Sequence, residues 1–142
     1  MTVAAESAAP AGRILVIDAS LNRRLVGELK GRGRAAVSVA DLGLGRSTDA
    51  ELLRGLARRL AEDEWVLVTA DDALPEEQAD LLESLEVTVA TVEWRSRAPR
   101  GGREQAARDT CHRWAHAMAT QPAGSCRRYS PERNRRWTRR RR

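Results

Sequence analysis

Three short apolar runs in this chain each lead into an aspartate: Ile14-Leu-Val-Ile-Asp18, Ala36-Val-Ser-Val-Ala-Asp41 and Trp65-Val-Leu-Val-Thr-Ala-Asp71. If the runs are parallel strands of one sheet, their carboxyl ends share an edge, where open α/β sheets bind ligands. Carboxylates gathered on one edge repel one another unless something positive lies between them. Mg²⁺ and Mn²⁺ suit such oxygen donors, and magnesium keeps several waters while accepting one or two protein carboxylates. An ion of this kind can bridge a phosphodiester, lower the pKa of a bound water and stabilise charge that develops in line. Asp18, Asp41 and Asp71 are therefore the expected metal ligands. Asp49 and Glu51 follow Asp41 by eight and ten residues at the start of the next helix, where one of them can join the group. Asp72 and Asn22 are further candidates. One aspartate after a strand is commonly a turn residue or a helix cap; three at the same end of three strands favour a site.

Periodicity supplies the elements that must position these residues. Leu21, Leu25, Val26 and Leu29 fall on one face at helical spacing, with Ser20 or Asn22 as cap and Gly31-Arg-Gly33 as stop. A short second strand, 36–40, runs into a turn-prone loop with Gly43 and Gly45. Thr48-Asp-Ala-Glu51 reads as a capping box, which gives Glu51 a role of its own, ahead of the stripe Leu52, Leu53, Leu56, Ala57 and Leu60. Pro75 suits the first turn of a helix that runs to about residue 84. A fourth strand is expected over 87–94. Strand and helix alternate with short connections, which predicts an α/β fold with a parallel sheet.

The chain of 142 residues fits one domain with a real core. Its charge is uneven. Residues 1–94 carry 10 Arg and Lys against 17 Asp and Glu, whereas residues 95–142 carry 15 Arg against 3 acids. An acidic body with a basic end is the asymmetry expected of a nucleic-acid partner. Arg127, Arg128, Arg135, Arg136, Arg139 and Arg140 can neutralise phosphates, and Tyr129 and Trp137 among them can stack on bases. No apolar run is long enough for a membrane span, and residues 1–12 lack the features of a signal peptide. The sequence predicts a cytoplasmic protein with reduced thiols. It divides into a flexible arm (1–12), an α/β domain (13–94), a basic linker and helix (95–120) and a basic, disordered tail (121–142). Cys111, His112, His116 and Cys126 are types that zinc accepts, but their spacing matches no standard finger; packing and surface roles are expected instead.

Taken together, Ile14–Leu25, Val39–Gly45, Ser47–Leu53 and Val66–Asp71 resemble the PIN-like domains. The similarity is greatest to the small bacterial group related to VapC-type toxin ribonucleases and the Mut7-C domain. It covers residues 13–94. The resemblance implies a Rossmann-like three-layer sandwich with a mostly parallel central sheet, a Mg²⁺ or Mn²⁺ site of acids, and metal-dependent cleavage of RNA. It carries Asp18, Asp41, Asp49 and Asp71 over as site acids, and it implies an antitoxin protein and a homodimer as possible partners. Two positions depart from the family's pattern. Ala19 and Ser20 stand where an acid often follows the first Asp, and Ala73 stands where a second Asp often follows the third. These departures motivate a second expectation, a PIN-like module that binds RNA or a protein partner without cutting it.

Overall fold

The aliphatic run Ile14–Ile17 forms β1, buried on both faces within a six-stranded sheet. The structure, a computed structural model, describes residues 12–93 and 100–137, with side chains in the second stretch from 102 onward. The expected arm at 1–11 and Arg139 and Arg140 lie outside the described residues. In chain order the elements are β1, α1 (Arg24–Gly31), β2 (Ala36–Ser38), α2 (Asp49–Arg59), β3 (Trp65–Thr69), α3 (Leu74–Glu77), α4 (Ala79–Leu85), β4 (Val89–Val92), α5 (Arg100–Ala119), β5 (Cys126–Tyr129) and β6 (Asn134–Arg136).

The strand order is β2-β1-β3-β4-β5-β6, parallel throughout except for the antiparallel β6. From β1 the chain passes through α1 to β2 on one side. From β2 it crosses back through α2 to β3 on the other side. The direction of winding therefore reverses between β1 and β3.

Alternate residues of each strand face opposite helical layers. Leu15, Ile17, Val66 and Val68 pack with Leu25 and Leu29 of α1 and with Ala107, Cys111, Ala115 and Met118 of α5. Val16, Leu67 and Val89 pack with Leu52, Leu53 and Leu56 of α2 and with Leu82 of α4. The result is the expected three-layer α/β sandwich with a mostly parallel sheet. Leu53 and Leu56 are fully buried, and removing each from water contributes about 1.5–3 kcal/mol.

The local signals act as the residues dictate. Thr48 accepts the Glu51 N–H while the Glu51 carboxylate accepts the Thr48 N–H, completing the capping box of α2. Thr48→Ala is expected to lower stability by about 1 kcal/mol in urea unfolding. Gly33, at φ 80°, takes the left-handed turn that lets the chain leave α1. The helix expected after Pro75 is two short ones, α3 and α4, divided at Gln78. β2 and β4 are shorter than the sequence predicts.

The C-terminal third corrects the expected division of the chain. The segment 121–137, read as part of a disordered tail, holds two strands. β5 pairs in parallel with β4 along Val89↔Cys126 to Val92↔Tyr129, and β6 returns beside it. Tyr129 is wholly buried among the α1–α5 layer, so it is not free to stack on a base. Backbone pairing to an existing sheet needs few aliphatics, which is why a low-hydrophobicity segment can be ordered. The helix α5 likewise covers the sheet rather than standing beside the domain.

An ion-pair cluster joins α1 to α5. Glu28 binds Arg108 through both carboxylate oxygens and meets His112 Nε2 at 2.8 Å. The His112 hydrogen bond, and then Arg108, hold the Glu28 carboxyl below its ordinary range. A depressed carboxylate stabilises the fold above its unfolded pKa, and that contribution disappears as pH falls through the folded value. Glu28→Gln should therefore lower the melting temperature by a few degrees near neutral pH, with the gap closing below about pH 4. Among the described residues no helix is long and apolar enough to cross a membrane.

Candidate acidic site at the carboxyl edge of the sheet

Asp18 is the first residue past β1, and its N–H donates to Val68 O at 2.9 Å, so the β1–β3 ladder fixes its backbone. Its Oδ2 accepts from Ser20 Oγ at 2.7 Å and from Thr69 Oγ1 at 2.9 Å. Each hydroxyl has one proton and donates it to Asp18. In return each accepts from the turn after β3: Ser20 Oγ from the Ala70 N–H and Thr69 Oγ1 from the Asp71 N–H, both at 3.0 Å. The hydroxyl pair thereby locks the carboxylate of β1 to the backbone that carries Asp71. Asp71 in turn accepts the Ala73 N–H through Oδ1 at 3.0 Å.

Asp49 enters from the other layer. It is the first residue of α2, directly after the Thr48 cap, and is half-buried. Burial, then the charge of Asp71, then that of Asp18, push its carboxyl above the ordinary Asp range. Asp18, Asp49 and Asp71 therefore feel one another electrostatically, although three different elements carry them.

Asp41 stands apart from this group. β2 ends at Ser38, and Asp41 lies three residues further on in an exposed turn, where its N–H donates to Ser38 Oγ and its carboxylate meets Arg23 at 3.8 Å. Asp41 is not among the charges that raise the Asp49 carboxyl. Glu51 is taken up by the capping box. Asn22 accepts the Arg24 N–H at the start of α1 and donates to Glu104 of α5. Asp72 is half-buried, and its Oδ1 is turned inward without a hydrogen-bond partner.

Cys111 lies in the layer of α1 and α5, whereas Cys126 packs on the opposite layer. Burial pushes both thiols up to about 12, far from the thiolate a metal takes. His112 is held by Glu28, and His116 Nδ1 lies 3.4 Å from Arg34.

Beside the acids, a cleft of about 580 Å³ opens between α1 and α5. Ser20 and Ala70 connect it to the carboxyl edge, Leu21 with Leu25 buried beneath gives it an apolar floor, and Arg103 and Glu104 of α5 rim it. Sequence reasoning missed Ser20 and Thr69 as holders of Asp18; a hydroxyl two residues past Asp18 and another two before Asp71 were the available signals. Nothing local pointed to Arg103 and Glu104, which reach the edge only through the docking of α5.

The basic residues form a second feature of the same sheet. In the β5–β6 hairpin Arg127 lies opposite Arg136 and Arg128 opposite Arg135. Arg127 Nε donates to Asn134 Oδ1 at 2.6 Å, Arg135 lies 3.5 Å from Glu93, and Arg128 Nε is buried without a partner. Like charges facing across strands disfavour the hairpin. Trp137 is half-buried at its end.

The donor set can be tested against a divalent cation. Among the described residues no group of three or more His, Cys, Asp or Glu side chains is placed to hold one ion, so a closed protein cage is not built. The raised carboxyl of Asp49, beside the charges of Asp71 and Asp18, fits an added positive charge, and a hydrated Mg²⁺ needs only one or two carboxylates. The residues fit a water-rich ion of that kind.

Fold and site together define a class: a doubly wound α/β protein whose acids lie at the topological switch point of a mostly parallel sheet. In comparisons with known proteins the chain matches no family model, no curated protein and no solved structure.

Proposed function

We propose that the protein is a metal-dependent ribonuclease of PIN-like type that hydrolyses RNA phosphodiesters at Asp18, Asp49 and Asp71. One observation carries this reading. The two strands between which the winding reverses, β1 and β3, each lead into an aspartate, and α2 adds a third whose pKa both of them raise. That crevice is where doubly wound sheets bind their ligands. Asp18 and Asp71 would hold Mg²⁺ or Mn²⁺, which supplies charge neutralisation and an acidified water when bound. Ser20 and Thr69 orient the Asp18 carboxylate, as outer-shell partners do. Asp49, with its raised pKa, is suited to accept a proton from a nearby water at one carboxylate oxygen. The arginines of β5 and β6 would bind the RNA backbone. β5 lies two strand spacings from β3, roughly 10 Å, so one strand of RNA can reach both.

A non-cleaving RNA-binding module is the second reading. It is favoured by the incomplete ligand set among the described residues and by the full engagement of Asp18 Oδ2 with two hydroxyls. Incubation of the purified chain with Mn²⁺ and a panel of single-stranded RNAs separates the two: metal-dependent products support hydrolysis, and retained, uncut RNA supports binding alone.

A further inference from the structure

The cleft between α1 and α5 has a chemistry that hydrolysis does not use. Leu21 and Ala107, with Leu25 buried beneath, give it an apolar floor, and its rim is polar and includes Arg108, which Glu28 holds. At that rim the Asn22 amide nitrogen donates to the Glu104 carboxylate, with Arg103 beside them. The cleft is continuous with the acidic edge, because Ser20 lines it while bonding Asp18 and Ala70 lines it while preceding Asp71.

Resting on the ribonuclease reading, we propose that this cleft receives the base next to the scissile phosphate in single-stranded RNA, and that its rim selects guanine. Its volume of about 580 Å³ lies within the range of small-ligand pockets, and an apolar floor suits the face of an unstacked base. The rim decides which base. Guanine alone presents two adjacent N–H donors, N1–H and the 2-amino group, beside a carbonyl oxygen. The Glu104 carboxylate accepts both, and the Asn22 amide nitrogen, released from Glu104, donates to O6. Adenine sets the N1 acceptor against the carboxylate, cytosine sets N3 there, and uracil flanks its single N–H with two carbonyl oxygens. Arg103 and Arg108, both lining the cleft, offset the charge of Glu104.

The test uses the full chain carrying Asp71→Asn, ¹⁵N-labelled and held in chelator, so that neither cleavage nor metal contributes. Titration with 5′-GMP is expected to shift the amides of Ser20, Leu21, Ala70 and Ala107 saturably. GMP should bind about tenfold more tightly than AMP, CMP or UMP, and Glu104→Gln on the same background should remove that preference. Absence of shifts at these amides, equal binding of the four nucleotides, or a GMP preference that survives Glu104→Gln overturns the proposal. So does saturable binding of an unrelated peptide in place of GMP. RNA cleavage by the unaltered chain is scored separately. Cleavage without GMP binding overturns the cleft and leaves the nuclease; GMP selectivity without cleavage upholds the cleft and overturns hydrolysis.

Discussion

Asp18→Asn is expected to abolish the heat of Mn²⁺ binding in isothermal titration and to cut RNA cleavage by on the order of 10³-fold. Asp18 is the residue through which β1, Ser20 and Thr69 are joined, and on the proposed reading its charge also holds the ion. The asparagine keeps the shape but halves the acceptor capacity. Its amide oxygen can keep the two hydroxyl bonds that Oδ2 accepts, with the NH₂ in the place of Oδ1, so the change removes the charge and spares the alignment. Asp71→Asn should give a comparable loss of cleavage, since its N–H bond to Thr69 survives while its charge does not. Asp41→Asn is expected to leave cleavage within about twofold, because Asp41 faces Arg23 in an exposed turn and exposed pairs are weak. Melting curves of all three variants check that the fold is retained. Cleavage that persists at the normal rate in both Asp18→Asn and Asp71→Asn would move the chemistry away from this edge.

Tyr129→Ala should cost about 3–5 kcal/mol, the range for deleting a large buried aromatic. Against a usual total of about 5–15 kcal/mol, that is a large share. Tyr129 is fully buried, its ring lies 6.1 Å from that of Trp114, and its hydroxyl donates to Gln121 Oε1 at 2.9 Å. Gln121 is itself buried and passes the connection on, its Nε2 donating to Val89 O at 2.9 Å. The chain Tyr129–Gln121–Val89 thus ties β5 to β4 through side chains as well as through the ladder. Burial also raises the phenol to about 12, which keeps it a neutral donor. Tyr129→Phe isolates one effect: it keeps the ring and leaves Gln121 Oε1 without its donor, for a loss of about 1–2 kcal/mol. Urea unfolding of both variants measures the difference. Full stability in Tyr129→Ala would mean that 121–137 is dispensable to the fold.

These two results bear on different halves of the molecule, and the halves differ in what the residues alone reveal. Residues 12–93 carry their structure locally. Continuous aliphatic runs become the central strands, the Leu stripe at helical spacing becomes the buried face of α2, and Thr48 with Glu51 forms the capping box that the spacing implies. The carboxylates at the ends of β1 and β3 are equally legible, because a strand's direction fixes which end its last residue occupies. Nearest-neighbour chemistry suffices for all of this.

Tertiary structure decided the rest. Strand order, and with it the switch point between β1 and β3, depends on crossovers that no local pattern encodes. Asp41 stands in an exposed turn facing Arg23, three residues past the end of β2, because the strand stops at Ser38. Ser20 and Thr69 became holders of Asp18 only when two strands lay side by side, 49 residues apart in sequence. The arginine-rich end, too poor in aliphatics to predict any structure, became β5 and β6 because an existing sheet edge offered its backbone partners and one cavity accepted Tyr129. What a residue can do chemically was written in its type and its neighbours; which residues meet was settled by hydrogen bonds and contacts between segments distant in the chain.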